Sequence, residues 1–286
     1  MRTNKLGQTT LSFAIALIGI IAAMPVKAQE FRFCNTKYTA DATIPLGGGT
    51  ATWNQAKTTL TLKNVKAENV SGYFIFCEGL ANLKIVLEGS NSVKCSNYFL
   101  LWNGGNMEIS GKGSLTVRTN SNEAIYMEDH TAPRTLTIKD CKLDVQGKTN
   151  SISGYNNGSN TETLNLVVDN ATLKVKGATG GWGWKEAGIT YLKSYQLKNC
   201  HISTAGVKFD KPSGSTYYEL LGTDGHTYYG EVEIVPGKAP TGIATPTTDA
   251  PQDKRGIYTL NGMRLNSVLK DLPAGIYIVD GRKVVK

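Results

Sequence analysis

Glu128, Asp129 and His130 stand consecutively in the 286-residue chain, with Arg134 four residues further on. Carboxylates, an imidazole and a guanidinium are the types that general acid–base cleavage of a glycan linkage requires. The spacing argues against that chemistry. Neighbouring residues of an extended chain point to opposite faces, so Glu128 and Asp129 are poorly placed as an acid/base pair. The group reads equally as a solvated turn. His201 follows Cys200, and His226 follows Asp224-Gly225. Neither has an evident nucleophile or ligand partner, so no catalytic residue is assigned.

A second kind of chemistry is binding. Trp182 and Trp184 stand in the glycine-rich stretch Gly180-Gly181-Trp182-Gly183-Trp184, and Tyr155 opens the polar stretch Tyr155-Asn156-Asn157-Gly158. Exposed aromatic rings offer an apolar face on which a sugar stacks. The alternative is that one Trp folds inward and anchors its loop.

The five cysteines Cys34, Cys77, Cys95, Cys141 and Cys200 show no CxxC pattern and no Cys/His metal spacing, so no metal site is expected. An odd number leaves at least one thiol outside any intrachain bridge. Cys34–Cys77 is the one disulfide worth considering, whereas Cys141 and Cys200 read as small core residues two coils apart. No cofactor is expected. Calcium is the ion that Asn/Asp turns would accommodate, but no loop has dedicated ligand spacing.

These residues must be positioned by something, and the chain carries a repeat. Leu60-Thr61-Leu62-Lys63-Asn64 returns as Leu83-Lys84-Ile85, Met107-Glu108-Ile109, Leu136-Thr137-Ile138, Leu164-Asn165-Leu166 and Tyr195-Gln196-Leu197. Each copy alternates apolar and polar, which predicts a strand with one buried face. Most are followed by Asn, Asp or Gly, the types that tolerate a left-handed turn. A second strand follows the turn (Leu115-Thr116-Val117, Leu143-Asp144-Val145, Leu173-Lys174-Val175). A third apolar patch comes next (Tyr73 to Phe76, Tyr98 to Trp102, Ile125-Tyr126-Met127). Three short strands per unit predict an all-β fold, a single-stranded parallel β-helix of about six coils.

Both ends of a solenoid need covers. Residues 29–50 read as the N-terminal cap, and Trp53 reads as a lid on the first coil. Tyr217 to Leu220 and Tyr228 to Val232 flank Asp224-Gly225, which predicts an antiparallel hairpin cap. The expected organisation is a signal peptide over 1–28, a capped β-helix over 29–235, a Pro/Thr-rich linker over 236–255 and a small β module over 256–286. Cleavage is expected after Ala28, and residues 11–24 are apolar but too few to span a bilayer. No other run is long and apolar enough for a membrane helix.

The net charge of +8 is concentrated at the ends. Residues 1–28 hold three cations and no acid, and residues 251–286 hold seven cations against three acids. About +1 is left for the main body, which argues against a nucleic-acid partner.

The body resembles the pectate-lyase-like superfamily of secreted β-helix proteins, in its carbohydrate-binding, non-catalytic branch. The phrases Thr59-Leu60-Thr61-Leu62-Lys63-Asn64, Leu83-Lys84-Ile85-Val86-Leu87-Glu88-Gly89 and Ile109-Ser110-Gly111-Lys112-Gly113 carry that resemblance. The tail holds Tyr258-Thr259-Leu260-Asn261-Gly262 and Leu272-Pro273-Ala274-Gly275-Ile276-Tyr277. It resembles the C-terminal sorting domains of type IX secretion, which implies delivery to the outer surface or beyond. The expected function is polysaccharide binding without catalysis, with Trp182, Trp184 and Tyr155 as contacts. An adhesin that contacts host or matrix protein is the alternative. A divergent polysaccharide lyase or glycoside hydrolase is a third reading.

Overall fold

The residues at one corner of each repeat fix the path of the chain. Asn64, Gly89, Gly111, Asp140, Asn170 and Asn199 all have positive φ, between 47° and 118°. That region strains most side chains, and Gly, Asn and Asp enter it most easily. The computed structural model describes residues 29–128, 131–155, 162–179, 185–239 and 256–286, and shows a parallel β-solenoid built on these corners.

Three sheets form its faces. The first face takes Thr59–Lys63, Asn82–Glu88, Asn106–Gly111, Arg134–Lys139, Leu164–Asp169 and Leu192–Lys198, all parallel. The second takes Lys66–Val70, Ser90–Cys95, Ser114–Thr119, Lys142–Gln146 and Thr172–Lys176. The third takes Ile75–Glu78, Leu100–Asn103, Ile125–Met127, Ile152–Ser153 and Ile189–Thr190. Six strands on one face and five on the others make about five complete coils.

Parallel register stacks like on like. Leu60, Ile85, Ile109, Ile138, Val168 and Leu197 form one column of the first face, spaced 25, 24, 29, 30 and 29 residues apart. Leu60 is thus the partner of Ile85 rather than of Leu83, and Leu164 precedes its expected place by two residues. A slip of two keeps every side chain on its own face, so alternation alone does not detect it. The column Asn91, Leu115, Leu143, Leu173 on the second face contains one polar member.

Both ends are closed. Glu30–Phe33 lies antiparallel on Ile75–Glu78, and Gly49–Asn54 lies antiparallel on Thr59–Lys63. Trp53 is fully buried and stacks on Phe31 at 3.7 Å, so it is a lid and offers no ring face to a ligand. Gly47 and Gly48, both at positive φ, turn the cap hairpin between Leu46 and Gly49.

At the other end the cap differs from expectation. Val207–Asp210 pairs with Glu219–Gly222 as the antiparallel hairpin. The Asp224-Gly225 turn is present, but the pairing beyond it is a single bridge, Leu221 with Thr227. Glu231–Pro236 instead lies antiparallel between Thr172–Lys176 and Cys200–Ile202. Ile234, with Leu173 on one side and Ile202 on the other, closes the second face.

All five cysteines are free thiols, so the considered Cys34–Cys77 bridge is absent. Cys77 lies opposite Phe31, whereas the Cys34 N–H donates to Phe74 O at 2.8 Å. The two sites are three strand positions apart, about 10 Å at 3.3 Å per residue and beyond disulfide reach. Cys141 and Cys200 have Ala171 between them, and the Cys200 thiol bonds the Ala171 backbone.

Residues 240–286 cluster as a separate unit, whose described part begins at Gly256. It is a four-stranded antiparallel sheet of Ile257–Thr259, Arg264–Leu265, Ile276–Val279 and Arg282–Val285. No helix of the described residues is long and apolar enough to cross a membrane.

Candidate functional site

The exterior of the third face carries a row of partly exposed aromatic rings. Ile75, Leu100, Ile125, Ile152 and Ile189 form its inward column. Alternation turns the next residues, Phe76, Leu101, Tyr126 and Ser153, outward. Tyr73, Tyr98 and Glu123 stand two positions before their strands and share that side. Tyr73 stacks on Tyr98 with ring centroids 5.8 Å apart, and Tyr98 stacks on Tyr126 at 5.7 Å. Phe76 touches Tyr73 at 6.0 Å, and the Arg32 guanidinium lies 6.0 Å from the Phe76 ring. In-register coils place the rings within stacking distance. Stacking hides much of the ring faces.

The electrostatics keep the tyrosine hydroxyls protonated. Burial, then the charge of Glu123 with smaller contributions from Tyr73 and Glu128, pushes the Tyr98 phenol up to about 12. Burial, with Glu123, Glu128, Tyr98 and Tyr155 adding to it, carries Tyr126 further above the ordinary tyrosine range. Burial also raises Glu123, partly offset by a hydrogen bond to its own backbone. Glu186 is raised by burial and then by the Glu123 charge. Two buried atoms nearby, Thr149 Oγ1 and Glu186 Oε2, have no hydrogen-bond partner. Thr149 and Glu186 belong to neighbouring coils, which the adjacent Asn150 side chain joins by donating to Ala187 O at 2.8 Å. The strip therefore presents phenol donors beside carboxylate acceptors over an apolar base. That combination suits a ligand dense in hydroxyls.

Two of the sequence-identified residues fall on this strip. Glu128 is exposed at its edge, and half-buried Tyr155 is among the groups acting on Tyr126. Arg134 begins a first-face strand. Its Nε donates to Gly104 O at 2.6 Å, which ties it to the corner of the preceding coil. There it lines an open groove of about 510 Å³ with Gly79, Ala81, Asn103 and Pro133. Trp182, Trp184, Asp129 and His130 lie outside the described residues.

Tyr73, Tyr98, Glu123 and Tyr126 did not stand out in the sequence. Their patches read as core strands, because a partly buried outward Tyr and an inward Leu are both apolar in a pattern. Tyr126 also sits three strand positions later than Tyr98, so aligned repeats do not superimpose the two. Among the described residues no group of three or more His, Cys, Asp or Glu is arranged to hold a metal ion. Comparison with known proteins returns no matching family model, no matching curated protein and no matching solved structure.

Proposed function

We propose that this chain is a secreted or surface-exposed, non-catalytic β-helix protein that binds polysaccharide along its third face. The observation that carries the reading is the outward strip of Tyr73, Phe76, Tyr98 and Tyr126 flanked by Glu123, Glu128 and Tyr155. A strip that continues from coil to coil matches an extended polymer better than a single small molecule. The signal-peptide-like start, the resemblance to carbohydrate-binding β-helices and the sorting-domain-like tail support the same reading from the sequence. The sequence adds two further aromatic residues, Trp182 and Trp184, in a Gly-rich stretch.

The test is to incubate the chain from Gln29 onwards with plant, host and microbial polysaccharides and assay bound fraction and released oligosaccharide together. Retention without release is expected. Tyr98→Phe and Tyr126→Phe keep the ring stack and remove one hydroxyl each. Each should weaken retention about three- to tenfold, from about 0.5–1.5 kcal/mol per hydrogen bond. Full retention by the double variant would displace the site from this face. Oligosaccharide release would overturn the non-catalytic reading and make Glu123, Glu128 and Arg134 the first residues to replace.

A further inference from the structure

Charge is shared unevenly among the three faces. Each of the five strands of the second face contains a Lys or Arg, and so do four of the six on the first. The strands of the third face contain none. The chain crosses that face over residues 70–79, 96–105, 120–128, 149–155 and 186–191, which hold Glu78, Glu123, Glu128 and Glu186 and no Lys or Arg. Arg32 enters from the cap strand, where its guanidinium contacts the Glu30 carboxylate. Arg134, Lys148 and Lys185 lie outside these crossings.

Register sets these carboxylates beside the rings. Glu30 pairs with Glu78, and Glu78 with Asn103. The Glu128 N–H donates to Trp102 O at 2.9 Å, which places Glu128 next to Asn103 in the same column. Glu78 and Glu128 each follow an outward ring, Phe76 or Tyr126, by two residues and so share its side. Glu123 precedes Tyr126 by three residues, so carboxylates border the rings at both margins of the face. After burial, the charges that raise the Tyr98 and Tyr126 phenols are those of Glu123, Glu128 and neighbouring tyrosines, with no cation opposing them. At the cap end of the strip a hollow of about 280 Å³ lies between Tyr73, Phe76, Glu30, Glu78, Asn35 and Arg32.

We infer that the third face binds a polysaccharide bearing positively charged amino groups, with sugar units against Phe76, Tyr98 and Tyr126 and ammonium groups at Glu78 and Glu128. The inference rests on the polysaccharide-binding reading of this face and adds the ligand class. An ammonium beside both a ring and a carboxylate gains from each. The chain already contains that arrangement, because Arg32 contacts Glu30 and lies 6.0 Å from the Phe76 ring. Glu78 and Glu128 are two coils apart, about 10 Å. Amino groups on alternate sugars of an extended β-1,4-linked chain lie one disaccharide apart, a length of the same order. A face crossed by carboxylates repels uronate and sulfate polymers. A basic polypeptide is the competing polycation. Asn103 and the Tyr98 and Tyr126 hydroxyls favour the sugar, because sugar hydroxyls answer them as donor and acceptor whereas Lys and Arg side chains bring donors only.

The experiment measures affinity of the full chain from Gln29 for β-1,4-linked glucosamine oligomers, N-acetylated oligomers of the same length, polygalacturonate and polylysine. Each is run across a salt series at mildly acidic pH, where the sugar amine is charged. The glucosamine oligomers are expected to bind most tightly, with affinity that falls as salt rises. Glu78→Gln/Glu128→Gln keeps the side-chain size and removes two charges. It should weaken that binding roughly three- to tenfold, with thermal unfolding unchanged. A control, Glu68→Gln/Glu88→Gln, removes the same charge from exposed sites on the other two faces and should lose little. Equal loss in the control, no loss in the Glu78/Glu128 variant, or preference for polylysine would overturn the inference. Tighter binding of the acetylated oligomers or of polygalacturonate, dependent on Tyr98 and Tyr126, would overturn it and leave the polysaccharide reading standing. Binding to none of the glycans would remove both.

Discussion

Asn91 Oδ1 accepts a hydrogen bond from the Val65 backbone N–H at 2.9 Å, inside the coil. The same amide donates from Nδ2 to Glu88 O at 3.2 Å and Ser114 O at 3.1 Å. One buried side chain thus bonds the backbone of three successive coils in a column whose other members are leucines. Asn91→Leu completes the apolar column and still destabilises, because Val65 N–H and two carbonyls lose their partner in a dry interior. The expected loss is about 1–3 kcal/mol. Denaturant unfolding of parent and variant measures it, and an unchanged or higher midpoint would show the amide to be dispensable.

Glu123 and Glu186 set a pH dependence whose sign follows from burial. Both carboxyls sit above their ordinary 4.5 in the fold. Between 4.5 and the raised value the folded state holds more protons than the unfolded chain. Their contribution to stability therefore falls as pH rises through that window and stays lower above it. Glu123→Gln and Glu186→Gln remove the titration. Each variant should melt above the parent at pH 7, and the gap should close as the pH approaches 4. A gap that is independent of pH, or a parent that is the more stable at pH 7, would refute the assignment.

The solenoid was legible because its determinants are local. Asn64, Asp140, Asn170 and Asn199 mark the left-handed corners, and each apolar/polar alternation marks a strand with one buried face. Register was less legible, since Leu60 and Leu164 slip by two without changing face. Adjacency in sequence makes Tyr228 to Val232 read as the second strand of the Asp224-Gly225 hairpin, whereas the strand formed is Glu231–Pro236. Alternation says that a segment is a strand but not which strand it pairs with, and the segment pairs with Thr172–Lys176 and Cys200–Ile202. The tyrosine strip was hidden for a third reason. Tyr98 and Tyr126 stack although neighbouring coils carry them at different strand positions, so aligned repeats do not bring them together.

Trp53 closes the first coil, and its loss should exceed that of an ordinary core residue. Trp53→Ala removes a fully buried ring that stacks on Phe31 and leaves Gln55 Oε1 without the indole N–H. The expected cost is about 3–5 kcal/mol. It also loosens the cap over Thr59–Lys63 and uncovers a strand edge that recruits other chains. Light scattering during a thermal ramp should show association beginning below the melting temperature of the parent. Melting without association at an unchanged temperature would remove the lid role.

Four thiols, those of Cys34, Cys77, Cys95 and Cys141, should be inert in the folded chain. Burial pushes Cys77, Cys95 and Cys141 to about 12 and Cys34 to about 11, with nearby negative charge a smaller cause at the first three. The thiolate is the reactive form, and at pH 8 it is on the order of one part in a thousand or less of each of these groups. Iodoacetamide should therefore leave these four unmodified in native buffer and alkylate them once denaturant unfolds the chain. Intact mass before and after unfolding counts the additions, and peptide mapping locates them. Rapid native labelling at Cys77 or Cys141 would mean that the coil interior opens on the timescale of the reaction. A non-reduced mass short of one hydrogen pair would mean that two of the thiols reach each other in solution, contrary to the separation of Cys34 and Cys77 across the N-terminal cap.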